Sequence, residues 1–225
     1  MKDCKRIKKL TEYIAFPLAF FLFGYLFFYL ALNPYFGLVL SGWELFSSDA
    51  NLLQGEEIHK DIFGEGKLEG YEGSVPASLI TYPRSGTKYA ELTLKTNGQD
   101  YVVPLYFGDS PSILRRGAGH YMGSHFPGNS STVLVSGHNN SYFSCLQYVK
   151  AGEVIELETN YGTYVYEVTE TVIKSNTDPS AYDLNAPEEN LVLYTCYPFT
   201  QLGLTRDRFF VYTRLVSGPV VLADE

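Results

Sequence analysis

A cysteine at 196, a histidine at 138 and an arginine at 208 are residue types that together can break and remake acyl bonds. Each stands at the end of an apolar run: STVLVSGH ends at His138, NLVLYTC ends at Cys196, and DRFFVYT opens on Arg208 after its aspartate. Strand ends on a rigid scaffold are where side chains meet ligands. A thiolate is the nucleophile, and an imidazolium can protonate a departing amine. At their ordinary pKa values of about 8.5 and about 6.5, roughly 3% of thiols and roughly 24% of imidazoles would be in the required form at neutral pH. Taken as independent groups, both are correct in under about 1% of molecules, and a nearby positive charge raises the thiolate share. A guanidinium stays protonated and is no base. Its work would be to stabilise an oxyanion or hold substrate backbone.

The elements that must position these residues read as strands. Tyr89–Lys95 alternates, Asn97-Gly98 signals a hairpin turn, and Tyr101–Phe107 is the partner. Ser110–Arg116 predicts one or two helical turns and Phe143–Val149 another short helix, while 117–130 reads as Gly-rich loop. Thr132–Ser136 and Leu191–Thr195 are continuous apolar runs, as strands buried on both faces would be. Glu153–Thr159, Thr163–Thr171 and Arg208–Val216 complete the set. Seven or eight strands with few helices predict a closed, all-β barrel. If the strands ending at 196 and beginning at 208 are antiparallel neighbours, Cys196 and Arg208 share one lip. His138 reaches that lip only if its strand runs parallel to the Cys196 strand.

The N-terminus has another character. Five of its first ten residues are basic and one is acidic, leaving 12 basic against 24 acidic residues in the remainder. That balance argues against nucleic-acid binding by the globular part. No charged residue lies between Tyr13 and Trp43, and about 20 apolar residues span a bilayer as a helix. The expected organisation is a basic cytoplasmic N-terminus (1–12), one transmembrane helix (13–43), a Gly- and acid-rich linker or loosely attached extension (44–74) and a catalytic domain (75–225). The basic residues before the run place the domain outside the cell. A cleaved signal peptide is the rival, but the run is too long and aromatic for one and no small-x-small site follows. Three cysteines make no disulfide scaffold. With no Cys-x-x-Cys, His-Glu-x-x-His or phosphate loop, no metal or cofactor is expected.

Gly137-His138, Leu193-Tyr194-Thr195-Cys196 and Arg208-Phe209-Phe210-Val211, in that order and with gaps of 58 and 12 residues between the three reactive positions, resemble the sortase family. TCYPF at 195–199, GAGHYMGS at 117–124 and FPGN at 126–129 look most like class D. The resemblance covers about residues 87–216. It implies an eight-stranded sortase barrel and a cysteine transpeptidase that cleaves an LPxTG-type C-terminal sorting signal between Thr and Gly. A thioacyl intermediate on Cys196 would pass to an amine of a peptidoglycan precursor or cross-bridge. Cys196, His138 and Arg208 would take the catalytic roles, and Thr195, before the nucleophile, would help shape the oxyanion site where substrate binds. Arg208 rather than Arg206 matches the family. Two departures stand out: Val192 replaces a usual Thr, and Asn139-Asn140 stand where many class D members have Arg-Asp. A pilin-polymerising sortase, a simple cysteine endopeptidase and a non-catalytic barrel that binds cell-wall peptide are the alternatives. His59, His120 and His125 read as structural or solvated. Cys145 reads as a small buried residue, with a disulfide to Cys196 as a rival. The acidic loop 178–189 reads as solvated surface, with calcium binding as the alternative.

Overall fold

Ten strands form among the described residues of the computed structural model, which are 13, 15–29, 61–64, 68, 73–201 and 205–223. They are β1 (Ser74–Pro76), β2 (Lys88–Thr96), β3 (Gln99–Phe107), β4 (Ala118–His120), β5 (Thr132–Gly137), β6 (Val154–Thr159), β7 (Thr163–Ser175), β8 (Asn190–Tyr197), β9 (Asp207–Ser217) and β10 (Val220–Leu222). Eight close into a barrel in the order β2-β3-β4-β5-β8-β9-β7-β6, and β1 pairs β10 in a separate parallel ribbon. The barrel is the expected eight-stranded one. Two hairpins form as the turn residues dictate: Asn97 and Gly98 both take positive φ, 52° and 71°, between the paired Thr96 and Gln99. The β6–β7 turn is held by Thr159 N–H donating to the Gly162 carbonyl.

β5 and β8 pair in parallel, from Thr132 opposite Asn190 to Gly137 opposite Thr195. Strands covered on both faces read as continuous apolar runs, and β5 is buried at every residue. Its inner side chains, Val133 and Val135, join Leu191, Leu193 and Val211 in the main core. On the outer face Leu134, Val192 and Phe210 form a second cluster with Ala181 and Leu184 from the β7–β8 connection. That connection therefore packs on the barrel's outer wall.

β4 corrects the reading of 117–130 as loop throughout. Three residues with a central glycine carry no periodic signal, and the glycine is there for packing. A Cβ on Gly119 would lie 2.6 Å from the Gly108 carbonyl oxygen and 2.8 Å from Leu114 Cδ2. The first predicted helix forms as a single turn at Pro111–Leu114, and the second is a 3₁₀ segment at Ser144–Tyr148, shorter than the expected 143–149. In the stretch read as a linker, Ile62 N–H donates to the Lys88 carbonyl and Leu68 N–H to that of Asn160, and both side chains pack against the core.

Residues 15–29 are helical and exposed. Among the described residues no helix is long and apolar enough to cross a membrane. The expected span of 13–43 runs beyond them: residues 14 and 30–43, with the 1–12 segment (Cys4 included) and His59, lie outside the described residues.

Candidate active site

The strand register brings the three candidate residues into one row. Cys196 and Arg208 are direct partners across the antiparallel β8–β9 pair. Gly137 is level with Thr195 across the parallel β5–β8 pair, so His138 and Cys196 are each one residue further in the same direction. Neighbouring strands lie about 4.8 Å apart, which puts one of the other two backbones on each flank of Cys196. Both geometric conditions set by the sequence, antiparallel β8–β9 and parallel β5–β8, are met. Side chains alternate across a strand. Cys196 therefore shares the outer face with Val192 and Tyr194, while Leu191, Leu193 and Thr195 turn inward.

Each residue has a local reason for its place. A Cβ on Gly137 would lie 2.6 Å from the Phe143 ring, so glycine lets the aromatic pack under the strand end that carries His138. The His138 carbonyl then accepts from the N–H groups of Phe143 (3.1 Å) and Ser141 (3.4 Å), which fixes the following turn. No hydrogen bond reaches either ring nitrogen among the described residues, and Nε2 is buried. Burial, and after it the Arg115 guanidinium, hold the half-buried imidazole below its ordinary pKa. Cys196 is a free, partly exposed thiol. Arg208 is tied down by Nη1, which donates to the Thr205 carbonyl (2.8 Å), Thr205 Oγ1 (3.2 Å) and its neighbour Asp207's carbonyl (2.9 Å). Among the described residues its hydrogen bonds all come from that nitrogen, which leaves the other guanidinium N–H groups for a ligand oxygen.

Thr195 is 2% exposed, and its Oγ1 donates to the Gly137 carbonyl at 2.7 Å. Its side chain is thus a cross-strand tie on the inner face, so contact with a ligand at the outer face would fall to its backbone. Sequence reasoning gave Asn139 no role. Its side chain is 7% exposed, and Nδ2 donates to the carbonyls of Pro198 (3.0 Å) and Gln201 (3.1 Å), in the segment that follows Cys196. Its partners are 59 and 62 residues away, beyond any local signal.

Below Cys196 the outer face is aromatic. Tyr194 stacks on Phe210 at 5.6 Å between centroids, and Phe210 on Tyr212 at 5.9 Å. Tyr121 and Leu184 pack at the sides of this surface. The β7–β8 connection covers Phe210, which is 2% exposed, and half-buried Tyr194 is the member of the stack nearest the thiol in sequence.

The remaining candidates lie elsewhere. His120 is fully buried on the inner face, its Nδ1 2.7 Å from Tyr89 Oη and its ring among Phe107 and Phe126; burial pushes its pKa down to about 4. Cys145 is a free buried thiol that donates to the Tyr142 carbonyl, and burial pushes its pKa up to about 11. The carboxylates of 178–189 act separately. Asp178 accepts from Ser180, Asp183 from the Asn185 N–H, and Glu189 from Gly128 and Ser130 N–H and the Tyr166 hydroxyl. Among the described residues no three acidic, His or Cys groups gather around a common point.

Comparison with known proteins bears on the family and the fold. Residues 94–216 match the sortase domain family model, and the chain belongs to the sortase family. It is 31% identical over 115 residues to Sortase D of Bacillus subtilis (strain 168), a match spanning 51% of this chain and 58% of that protein. Its fold is similar to that of a Clostridium perfringens Sortase D5 transpeptidase, at TM-score 0.52 and 20% identity over 60% of this chain and 82% of that one. It is also similar to the SrtF sortase from Corynebacterium diphtheriae, at TM-score 0.56 and 19% identity over 62% of this chain and 89% of that one.

Proposed function

We propose that this chain is a cysteine transpeptidase that cleaves an LPxTG-type sorting signal between Thr and Gly and transfers the new carboxyl-terminal acyl group to a cell-wall amine. The observation that carries the reading is the row His138–Cys196–Arg208 on three adjacent strands. A sorting peptide reaches the partly exposed Cys196 beside Tyr194, with its Thr carbonyl at the sulfur. The Cys196 thiolate attacks that carbon, and the oxyanion is met by Arg208 N–H groups. The Thr–Gly C–N bond breaks as the His138 imidazolium gives its proton to the leaving amine. An incoming amine of a peptidoglycan precursor or cross-bridge then loses a proton to His138 and attacks the thioester. The thiolate leaves, and both groups return to their starting forms. The Cys196, His138 and Arg208 roles are part of this proposal, as is a backbone contribution from Thr195 to the anion site.

The apolar run 13–43 with basic residues before it supports a single membrane span, with the N-terminus in the cytoplasm and the barrel outside. That location brings the thiol to wall precursors and to proteins arriving across the bilayer.

Mass spectrometry of the full chain with an LPxTG-type peptide library tests the reading. The expected result is a peptide fragment joined to Cys196 that disappears in Cys196→Ala. No adduct with any peptide would overturn the acyl-transfer account. Adding triglycine or diaminopimelate should yield the aminolysis product, and hydrolysis alone would make the chain an endopeptidase.

A further inference from the structure

Asn139 follows His138 directly, yet its side chain reaches across to the other reactive strand's continuation. Both Nδ2 hydrogens are used, one on the carbonyl of Pro198, two residues past the sulfur, and one on that of Gln201. The Thr195–Gly137 bond ties the same two strands on the inner face, one residue before the reactive pair. Cys196 and His138 therefore sit between two cross-links, one before the strand ends and one after. The imidazole has no hydrogen-bonded partner of its own among the described residues, and position 140 offers no carboxylate. With no hydrogen bond to the ring among the described residues, its place depends on its packing and on the backbone that carries it.

We propose that Asn139 is the positioning residue of the thiol–imidazole pair, its amide clamping the His138 turn to the segment after Cys196 so that the ring and the sulfur stay in register. The inference rests on the reading of the site given above. An amide suits the task because it presents two donors without charge to two carbonyls. A hydrocarbon of similar size would break both bonds and leave the Pro198 carbonyl with the Gln201 N–H as its remaining partner. A carboxylate would oppose them with lone pairs and would also add a charge beside the imidazole.

The test is the pH dependence of iodoacetamide alkylation at Cys196, read by peptide mass in the full chain in detergent micelles. In the wild type the rate should carry an inflection from His138 that disappears in His138→Ala. Asn139→Leu, which keeps the branched shape but not the donors, should lose the inflection as well while its far-UV circular dichroism stays that of the folded barrel. A role in filling space alone would leave the inflection in place. Asn139→Ser, with one donor, is the milder variant should the leucine chain not fold: a reduced inflection supports the clamp and an undiminished one overturns it. If His138→Ala changes the profile and the Asn139 variants do not, the clamp falls and the acyl-transfer reading stands. If His138→Ala leaves the profile unchanged, the two groups are uncoupled and both fall.

Discussion

At the scale of single residues, Arg208 and His138 make separable demands. Arg208 is held by three bonds from one nitrogen, with the rest of its planar fork available to an oxyanion. Arg208→Ala should therefore cost about a hundredfold or more in turnover, the usual loss for one oxyanion donor. The alkylation rate of Cys196 should fall far less, and comparable losses in the two assays would mean that the guanidinium acts on the thiol instead. His138 sets the pH response. Catalysis needs thiolate and imidazolium together, so below the imidazole pKa activity rises with pH as thiol ionises. It then levels off as imidazolium is lost in step. The acid limb thus reports His138. Burial first, and the Arg115 charge second, hold that pKa below the ordinary value of 6.5. The limb should fall below this value, and Arg115→Gln should move it upward, as a kcat/KM profile would record. A limb that stays put or moves down would remove Arg115 from the account.

At the scale of elements, the strand ends are built by close contacts. Gly137→Ala would drive a methyl into the Phe143 ring. Such overpacking should destabilise the barrel by about 1–3 kcal/mol in urea unfolding. Thr195→Val, which removes the tie to the Gly137 carbonyl and leaves that acceptor buried, should cost about 1–3 kcal/mol in the same measurement. The strands of the barrel were legible because alternation and apolar runs are local, and β2, β3 and β5–β9 lie within a few residues of their expected ranges. β4, β1 and β10 were not, since three residues hold less than two periods. The direction of β5 relative to β8 was posed by the sequence only as a condition. Parallel and antiparallel partners use the same residue types, and 52 residues separate Gly137 from Asn190. The candidate row of His138, Cys196 and Arg208 was legible from residue types at strand ends. The Asn139 contacts were not, because an Asn after a histidine is an ordinary turn residue until its distant carbonyls are known.

Across the whole molecule, the two ends of the described barrel region are drawn together. β1 and β10 pair in parallel from Ser74 opposite Val220 to Pro76 opposite Leu222, and Val221 N–H donates to the Gly128 carbonyl. Val75, in this ribbon, is fully buried. Truncation after Ser217 should remove about 2 kcal/mol, or about 4–8 °C in Tm for a domain of this size, in a calorimetric scan. Glu189 links the same loop to the barrel through two backbone N–H groups and the Tyr166 hydroxyl. The parallel pairing of β5 with β8 carries one more consequence. No short turn can join parallel neighbours, and here the excursion between them is the β6–β7 hairpin and the connection that packs on the outer wall. A nascent chain therefore holds its sulfur and imidazole far apart until that excursion has folded and both strands have docked. On the acyl-transfer reading, nucleophile and proton donor would then meet only when the barrel is complete.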